Sequence, residues 1–212
     1  MVFFSSSRQI VALLLLIIAL TVFCLLSHEV VIENEDWFDS RVFTFFKSYS
    51  LPWIVNIFRC ISFFGSDYFL LPAYVILVVT VFFKSDKAAA IDIALLGIGS
   101  TLLLFGLKTA FARVRPPFPL LIALKNYSFP SGHAVSSFIF FSVLAWLVWN
   151  TGIPQKWKWL VSFLLLLLIM AIGVSRIVLR YHYASDVVAG FSLGMVCMIL
   201  FLFAQNLRGR NQ

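Results

Sequence analysis

Charge is scarce in this sequence: Asp, Glu, Lys and Arg make up 12% of its 212 residues, against 62% hydrophobic residues. A chain so poor in charge cannot enclose its apolar surface in one water-soluble core, which excludes an ordinary soluble enzyme and places the protein in a bilayer. Acidic residues are scarcer still, 9 against 16 basic ones, leaving a formal net charge of +7. The basic residues lie between apolar runs instead of clustering on a polar domain, so nucleic acid is not the expected partner and anionic lipid head groups are. Cysteine is also rare. Cys24 and Cys197 fall in apolar segments and Cys60 stands alone between them, a pattern that offers neither a disulfide framework nor a metal-ligand spacing. No low-complexity tract, Gly/Ser linker or internal repeat divides the chain, so residues 1–212 are expected to form one membrane domain.

What the sequence has in abundance is long apolar runs. Six can be drawn, at about 9–27, 67–83, 88–111, 133–149, 159–177 and 187–204, each near the roughly 17–25 residues that a helix needs to cross a bilayer. Only helices and closed barrels satisfy their backbone in lipid, so the expected fold is all-α, an integral membrane bundle of six transmembrane helices. Arg8 followed by the run Ile10 to Leu26 is reminiscent of a secretory signal, but no small-residue cleavage site follows. The run is read as an uncleaved first helix. Arg8, Lys84, Lys87, Lys156, Lys158, Arg208 and Arg210 fall on one side of this scheme, which makes that side cytoplasmic.

Residues 28–66 are expected outside. They open with Glu29, Glu33, Glu35, Asp36 and Asp39 and then turn amphipathic, with Phe38, Val42, Phe45 and Tyr49, and after Pro52 Trp53, Ile57, Phe58 and Ile61, at helical spacing. This predicts one or two helices in the membrane interface, either a brace packed on the bundle or a lid at a lipid entrance.

Three polar clusters interrupt the apolar pattern, and all fall on the predicted outer side. The first runs from Lys108 to Pro116. Lys108 and Arg115 are seven apart, nearly two helical turns and about 10 Å, so a continuous helix would aim both cations at one pocket. Pro116 and Pro117 are expected to end that helix, Arg115, as the residue before proline, to be pushed toward an extended conformation that aims its guanidinium inward, and Arg113 is read as an interfacial anchor. The second is Pro130-Ser131-Gly132-His133, just before the fourth apolar run. Ser131 is placed to cap that helix, and Gly132 lets backbone N–H groups approach an anion. The third holds Ser175, Arg176, His182 and Asp186. His182 and Asp186 would share a face of a helix, Asp186 holding one imidazole nitrogen while the other faces the pocket. Arg176 lies six residues before His182, so the chain must bend for both to meet one phosphate. Gly190 and Gly194 form G-x-x-x-G in the last helix, read as packing within the bundle, with a dimer seam as the alternative.

Together the clusters read K-x6-R-P, P-S-G-H and S-R-x5-H-x3-D, in that order with helices between. This resembles the type 2 phosphatidic acid phosphatase family, which shares its site with vanadium-dependent haloperoxidases and bacterial acid phosphatases. Lys108, Arg115, Pro116, Pro130, Ser131, Gly132, His133, Ser175, Arg176, His182 and Asp186 carry the resemblance. It implies a lipid phosphatase in which His182 attacks phosphorus, Asp186 orients it and His133 protonates the leaving oxygen. Lys108, Arg115, Ser131, Gly132 and Arg176 would bind the phosphate, with no metal and no cofactor required. The expected partner is an anionic lipid phosphate: phosphatidic acid, phosphatidylglycerol phosphate or an isoprenyl pyrophosphate. The expected location is a bacterial cell (inner) membrane, with the site facing the periplasm or exterior. A lipid phosphotransferase and a nonenzymatic lipid-binding or transport protein remain open, and the sequence is silent on oligomeric state.

Overall fold

A computed structural model describes residues 6–29, 37–47, 51–84 and 86–210. Its elements are eight helices and, among the described residues, no strand: α1 (Ser6–Ser27), α2 (Trp37–Lys47), α3 (Pro52–Phe63), α4 (Asp67–Lys84), α5 (Lys87–Phe111), α6 (Gly132–Trp149), α7 (Gln155–Val178) and α8 (Ala184–Arg210). The six apolar runs of the sequence correspond to α1, α4, α5, α6, α7 and α8. Six stretches are long and apolar enough to cross a membrane, the second of them being α3 and α4 taken together. The bundle is that of a multi-pass membrane protein.

Local chemistry explains the boundaries. Asp86 caps α5, its carboxylate accepting from the backbone N–H groups of Ala88 and Ala89 at 2.8 and 3.3 Å. Pro52 opens α3, where its missing N–H costs nothing. Leu71, Ile98, Leu102 and Phe105 are exposed on the outside of the bundle, where lipid tails replace water. Inside, Ile93, Val135, Ile139, Val143 and Leu193 form a buried apolar cluster across α5, α6 and α8.

α8 packs on α1 and α6, α6 packs in turn on α7, and α7 meets α8 directly where Gly173 lies against Val187 and Phe191. The G-x-x-x-G face is filled by α6. A β-carbon on Gly190 would lie 2.8 Å from Ala134 Cβ and 2.9 Å from the Ser131 carbonyl oxygen, and one on Gly194 would lie 3.0 Å from Phe138 Cβ. The glycines thus serve close packing within the bundle. Gly190→Ala must push the start of α6 away, and overpacking of this kind costs about 1–3 kcal/mol. Thermal unfolding in detergent should show the loss.

α2 packs on α7 and α8, and α3 on α7, as a brace would. Their outward faces carry Trp37, Phe38, Phe45, Trp53 and Ile57, all exposed, in keeping with helices at an interface. The amphipathic reading of α2 missed one point. Phe38 and Phe45 point outward, whereas Asp39 is only 3% exposed and points into the protein. Glu33, Glu35, Asp36 and Tyr49, and the side chains of Arg8 and Arg210, lie outside the described residues. At the end of the bundle where α5 begins and α8 finishes, Asp92 is held by Arg208 at 2.7 Å and Gln205 at 2.6 Å. All three polar clusters sit at the opposite end, where α5 and α7 finish and α6 and α8 begin.

Candidate active site

The expected bend between Arg176 and His182 is present. α7 stops at Val178, Arg180 takes a left-handed conformation (φ 59°), and the backbone N–H groups of Tyr181 and His182 both fold back to the Arg176 carbonyl, at 3.0 and 3.2 Å. α8 begins only at Ala184, so His182 and Asp186 do not share a helix. Their contact is made across a helix start. Asp186, in the first turn of α8, reaches back to accept from Tyr183 N–H at 3.0 Å, as in a capping box, and the same oxygen meets His182 Nδ1 at 3.2 Å. His182 is 3% exposed and Asp186 fully buried.

The cations reach the site by a different route from the one the spacing suggests. α5 ends at Phe111, before the prolines, because Ala112 turns left-handed (φ 47°) and donates its N–H to the Lys108 carbonyl. Arg115 is therefore on a loop, not on the helical face of Lys108. It is held there by Asn126, whose Oδ1 accepts from Arg115 Nη2 at 2.7 Å and whose carbonyl accepts from Nε at 2.8 Å. Arg115 Nη1 then reaches the Tyr181 carbonyl at 2.7 Å and His182 Nε2 at 3.1 Å. A guanidinium can only donate. Nε2 is thus the acceptor, and the imidazole proton sits on Nδ1, facing Asp186. Lys108 Nζ donates to the carbonyls of Tyr127 and Ser128 at 2.8 and 3.3 Å, on the same loop.

Arg113 is not the interfacial anchor that its position suggested. It bridges two buried carboxylates, Nη1 to Asp186 Oδ1 at 2.5 Å and Nη2 to Asp39 Oδ2 at 2.8 Å, with its guanidinium 4.0 Å over the Tyr183 ring. Its partners lie 73 and 74 residues away in sequence, beyond any local pattern.

Ser131 holds the N-cap position of α6, but its side chain makes no capping bond. Its backbone N–H donates to the Asp186 carbonyl at 3.0 Å, joining α6 to α8. Among the described buried side-chain polar atoms, two have no hydrogen-bond partner: Ser131 Oγ and Arg176 Nε. Leaving such groups unpaired costs about 1–3 kcal/mol each, so both are open to a hydrogen bond with water or a ligand. Arg176 is otherwise fixed, Nη1 donating to Ser62 Oγ at 2.6 Å and the guanidinium stacking 4.3 Å from the Tyr181 ring. A β-carbon on Gly132 would meet Leu104 and Lys108 only at 3.5 and 4.0 Å, so the protein leaves room there beside the Lys108 stem. His133, at the start of α6, packs against Gly65 in the turn between α3 and α4, where a β-carbon would lie 3.1 Å from its ring. Sequence reasoning missed Asp39, Ser62, Asn126 and the bridging role of Arg113. Asp39 alone left a signal, an acid within an otherwise membrane-seeking helix. Among the described residues, no group of three or more His, Cys, Asp or Glu side chains is placed to hold a metal ion.

Burial pushes the His182 imidazole well below its usual range near 6.5, and the charges of Arg115, Arg176 and Lys108 push it further, with a Ser128 backbone contact acting weakly the other way. The ring is neutral at neutral pH, with Nε2 unprotonated and hydrogen-bonded to Arg115 Nη1. The acid limb of kcat/KM for the free enzyme should therefore lie below pH 6.5. The same depression means that the unfolded chain takes up this proton before the folded one does. Its contribution to stability is complete above the unfolded value and is lost as pH falls from there toward the folded value. A pH–rate profile beside a pH–melting profile checks both.

The model of the PAP2 superfamily matches residues 89–210. Phosphatidylglycerophosphatase B of Bacillus subtilis (strain 168) is 33% identical over 150 residues, 70% of this chain and 74% of that protein. Among solved structures, the transmembrane PAP2-type phosphatidylglycerolphosphate phosphatase from Bacillus subtilis superposes with a TM-score of 0.82 at 27% identity, covering 90% of this chain and 95% of that one. LpxE of Aquifex aeolicus superposes with a TM-score of 0.57 at 26% identity, covering 77% of this chain and 93% of its own.

Proposed function

Because this chain belongs to the PAP2 superfamily, we propose that it is a membrane phosphatase that removes phosphate from a lipid-linked substrate, with His182 as the nucleophile. The observation that carries the reading is the state of His182: a buried, neutral imidazole, oriented by Asp186 through Nδ1, with Nε2 turned toward cationic Arg115.

In the first step Nε2 attacks phosphorus and a P–N bond forms as the P–O bond to the lipid breaks. His133 gives its proton to the departing oxygen. Asp186 then faces an imidazole that has gained positive character, and its carboxylate offsets that charge. In the second step a water oxygen attacks the phosphohistidine, the P–N bond breaks, and His133 takes a proton from the water. Lys108, Arg115 and Arg176, with Ser131 Oγ and the Gly132 N–H, gather the equatorial oxygens. The two unpartnered donors, Ser131 Oγ and Arg176 Nε, are the groups a phosphate would satisfy.

A site at one end of a membrane bundle suits a substrate whose tail stays in lipid. Phosphatidylglycerol phosphate is the first substrate to test, given the likeness to phosphatidylglycerophosphatase B. The basic residues at the other end of the bundle, Lys84, Lys87, Lys156, Lys158 and Arg208, favour placing the site on the periplasmic or outer face of a cell membrane.

Phosphate release from phosphatidylglycerol phosphate, phosphatidic acid and an isoprenyl pyrophosphate, with EDTA present and with His182→Ala as control, tests the reading. Metal-independent release dependent on His182 supports it, and no release from any lipid phosphate overturns it. His133→Ala should lose far more on the natural ester than on an aryl phosphate, whose leaving group needs little protonation. Equal losses on both would remove His133 from the acid role.

A further inference from the structure

The catalytic motifs do not explain why α2, a short helix turned toward the membrane interface, carries a buried carboxylate. Asp39 uses both oxygens at the start of α8. Oδ1 accepts the Ser185 backbone N–H at 2.9 Å, and Oδ2 accepts the Ser185 hydroxyl at 2.6 Å and Arg113 Nη2 at 2.8 Å. Arg113 Nη1 in turn donates to Ser185 Oγ at 2.9 Å and to Asp186 Oδ1 at 2.5 Å. The other oxygen of Asp186 faces His182 Nδ1. A chain of direct polar contacts therefore runs from α2 to the back of the nucleophile, none of it touching the nitrogen that attacks.

This arrangement has two physical consequences. The planar guanidinium, stacked on Tyr183 and fixed by two carboxylates, sets the rotamer of Asp186, so that its second oxygen meets His182 Nδ1. Asp39 also shares the charge of Arg113. With Asp39 neutral, the whole cation would bear on Asp186 and weaken the carboxylate that must stabilise His182 as it takes on positive charge.

Resting on the phosphatase reading above, we propose that Asp39 is a positioning residue for phosphoryl transfer: from α2, through Arg113 and Ser185, it holds Asp186 against His182. Docking of the interfacial helix and orientation of the nucleophile are then one event, and an α2 drawn off the bundle leaves His182 without its partner.

The test uses the full chain purified in detergent with phosphatidylglycerol phosphate or whichever lipid phosphate the wild type hydrolyses. Asp39→Asn should lower kcat about 10- to 100-fold, the scale seen when a partner behind a site ligand is removed, with KM within about threefold of wild type. In an Asp186→Asn background the same change should cost less than about twofold, because residues acting through one another are not additive. Unchanged kcat per folded molecule, or the full loss repeated in the Asp186→Asn background, overturns the proposal. If Asp39→Asn does not fold, Ser185→Ala decides, since it removes the hydroxyl that bonds both Asp39 and Arg113 and leaves their direct ion pair and the backbone bond to Oδ1 in place. It should lower kcat about 3- to 10-fold, the scale of about one hydrogen bond, with the same loss of additivity, and a wild-type rate overturns the proposal. A wild type that releases no phosphate sinks the functional reading itself. A wild type that turns over through His182 while Asp39→Asn is equally fast sinks only the role of Asp39.

Discussion

His182→Ala is expected to lower phosphate release by roughly 10⁴-fold or more, the scale of deleting a covalent nucleophile, while the protein still inserts and folds. In the proposed mechanism the ring supplies the atom that forms the intermediate. The proposed phosphate ligands Arg115, Arg176 and Lys108 remain in the variant, so substrate affinity should survive or even rise as the site loses a group that competes for Arg115 Nη1. Brief incubation with labelled lipid phosphate, followed by a quench that preserves P–N bonds, should show an acid-labile, base-stable phosphoprotein in the wild type and none in the variant. Wild-type turnover in His182→Ala would remove this residue from the mechanism.

Arg113→Met is expected to have the largest effect on folding. It keeps most of the side-chain volume but leaves Asp39 and Asp186, both almost wholly buried, without the cation between them. Removing one partner from a buried ionic network costs about 3–5 kcal/mol, because the remaining charges stay desolvated. Arg113→Lys should lose less, since one ammonium can meet one carboxylate well but cannot fork across two. Thermal or denaturant unfolding in detergent checks the order wild type, Arg113→Lys, Arg113→Met. A melting point unchanged in Arg113→Met would mean that the bridge contributes little to the fold.

The six spans were legible because lipid imposes a length and a composition that appear directly as apolar runs. The motif residues were legible for a related reason: polar groups at span ends are few, and three groups of them at one predicted face stand out. The errors share one cause. The face common to Lys108 and Arg115, and that common to His182 and Asp186, both assumed continuous helix, yet Ala112 turns left-handed after Phe111 and α8 starts only at Ala184. In each case a turn brings the side chains together where periodicity was expected to do so. Arg113 was misplaced because local sequence registers only that a cation sits near a helix end, and its partners come from α2 and α8.

The sequence by itself determined the solvent of this protein, the number of its spans and the polar motifs that gather at one end of the bundle, because hydrophobic length and residue chemistry are local properties. Only the tertiary structure decided which nitrogen of His182 meets Asp186 and which meets Arg115, that Arg113 joins Asp39 to Asp186, and that Ser62 steadies Arg176 from 114 residues away. Those facts depend on directional bonds between distant segments, and their geometry exists only once the helices are packed.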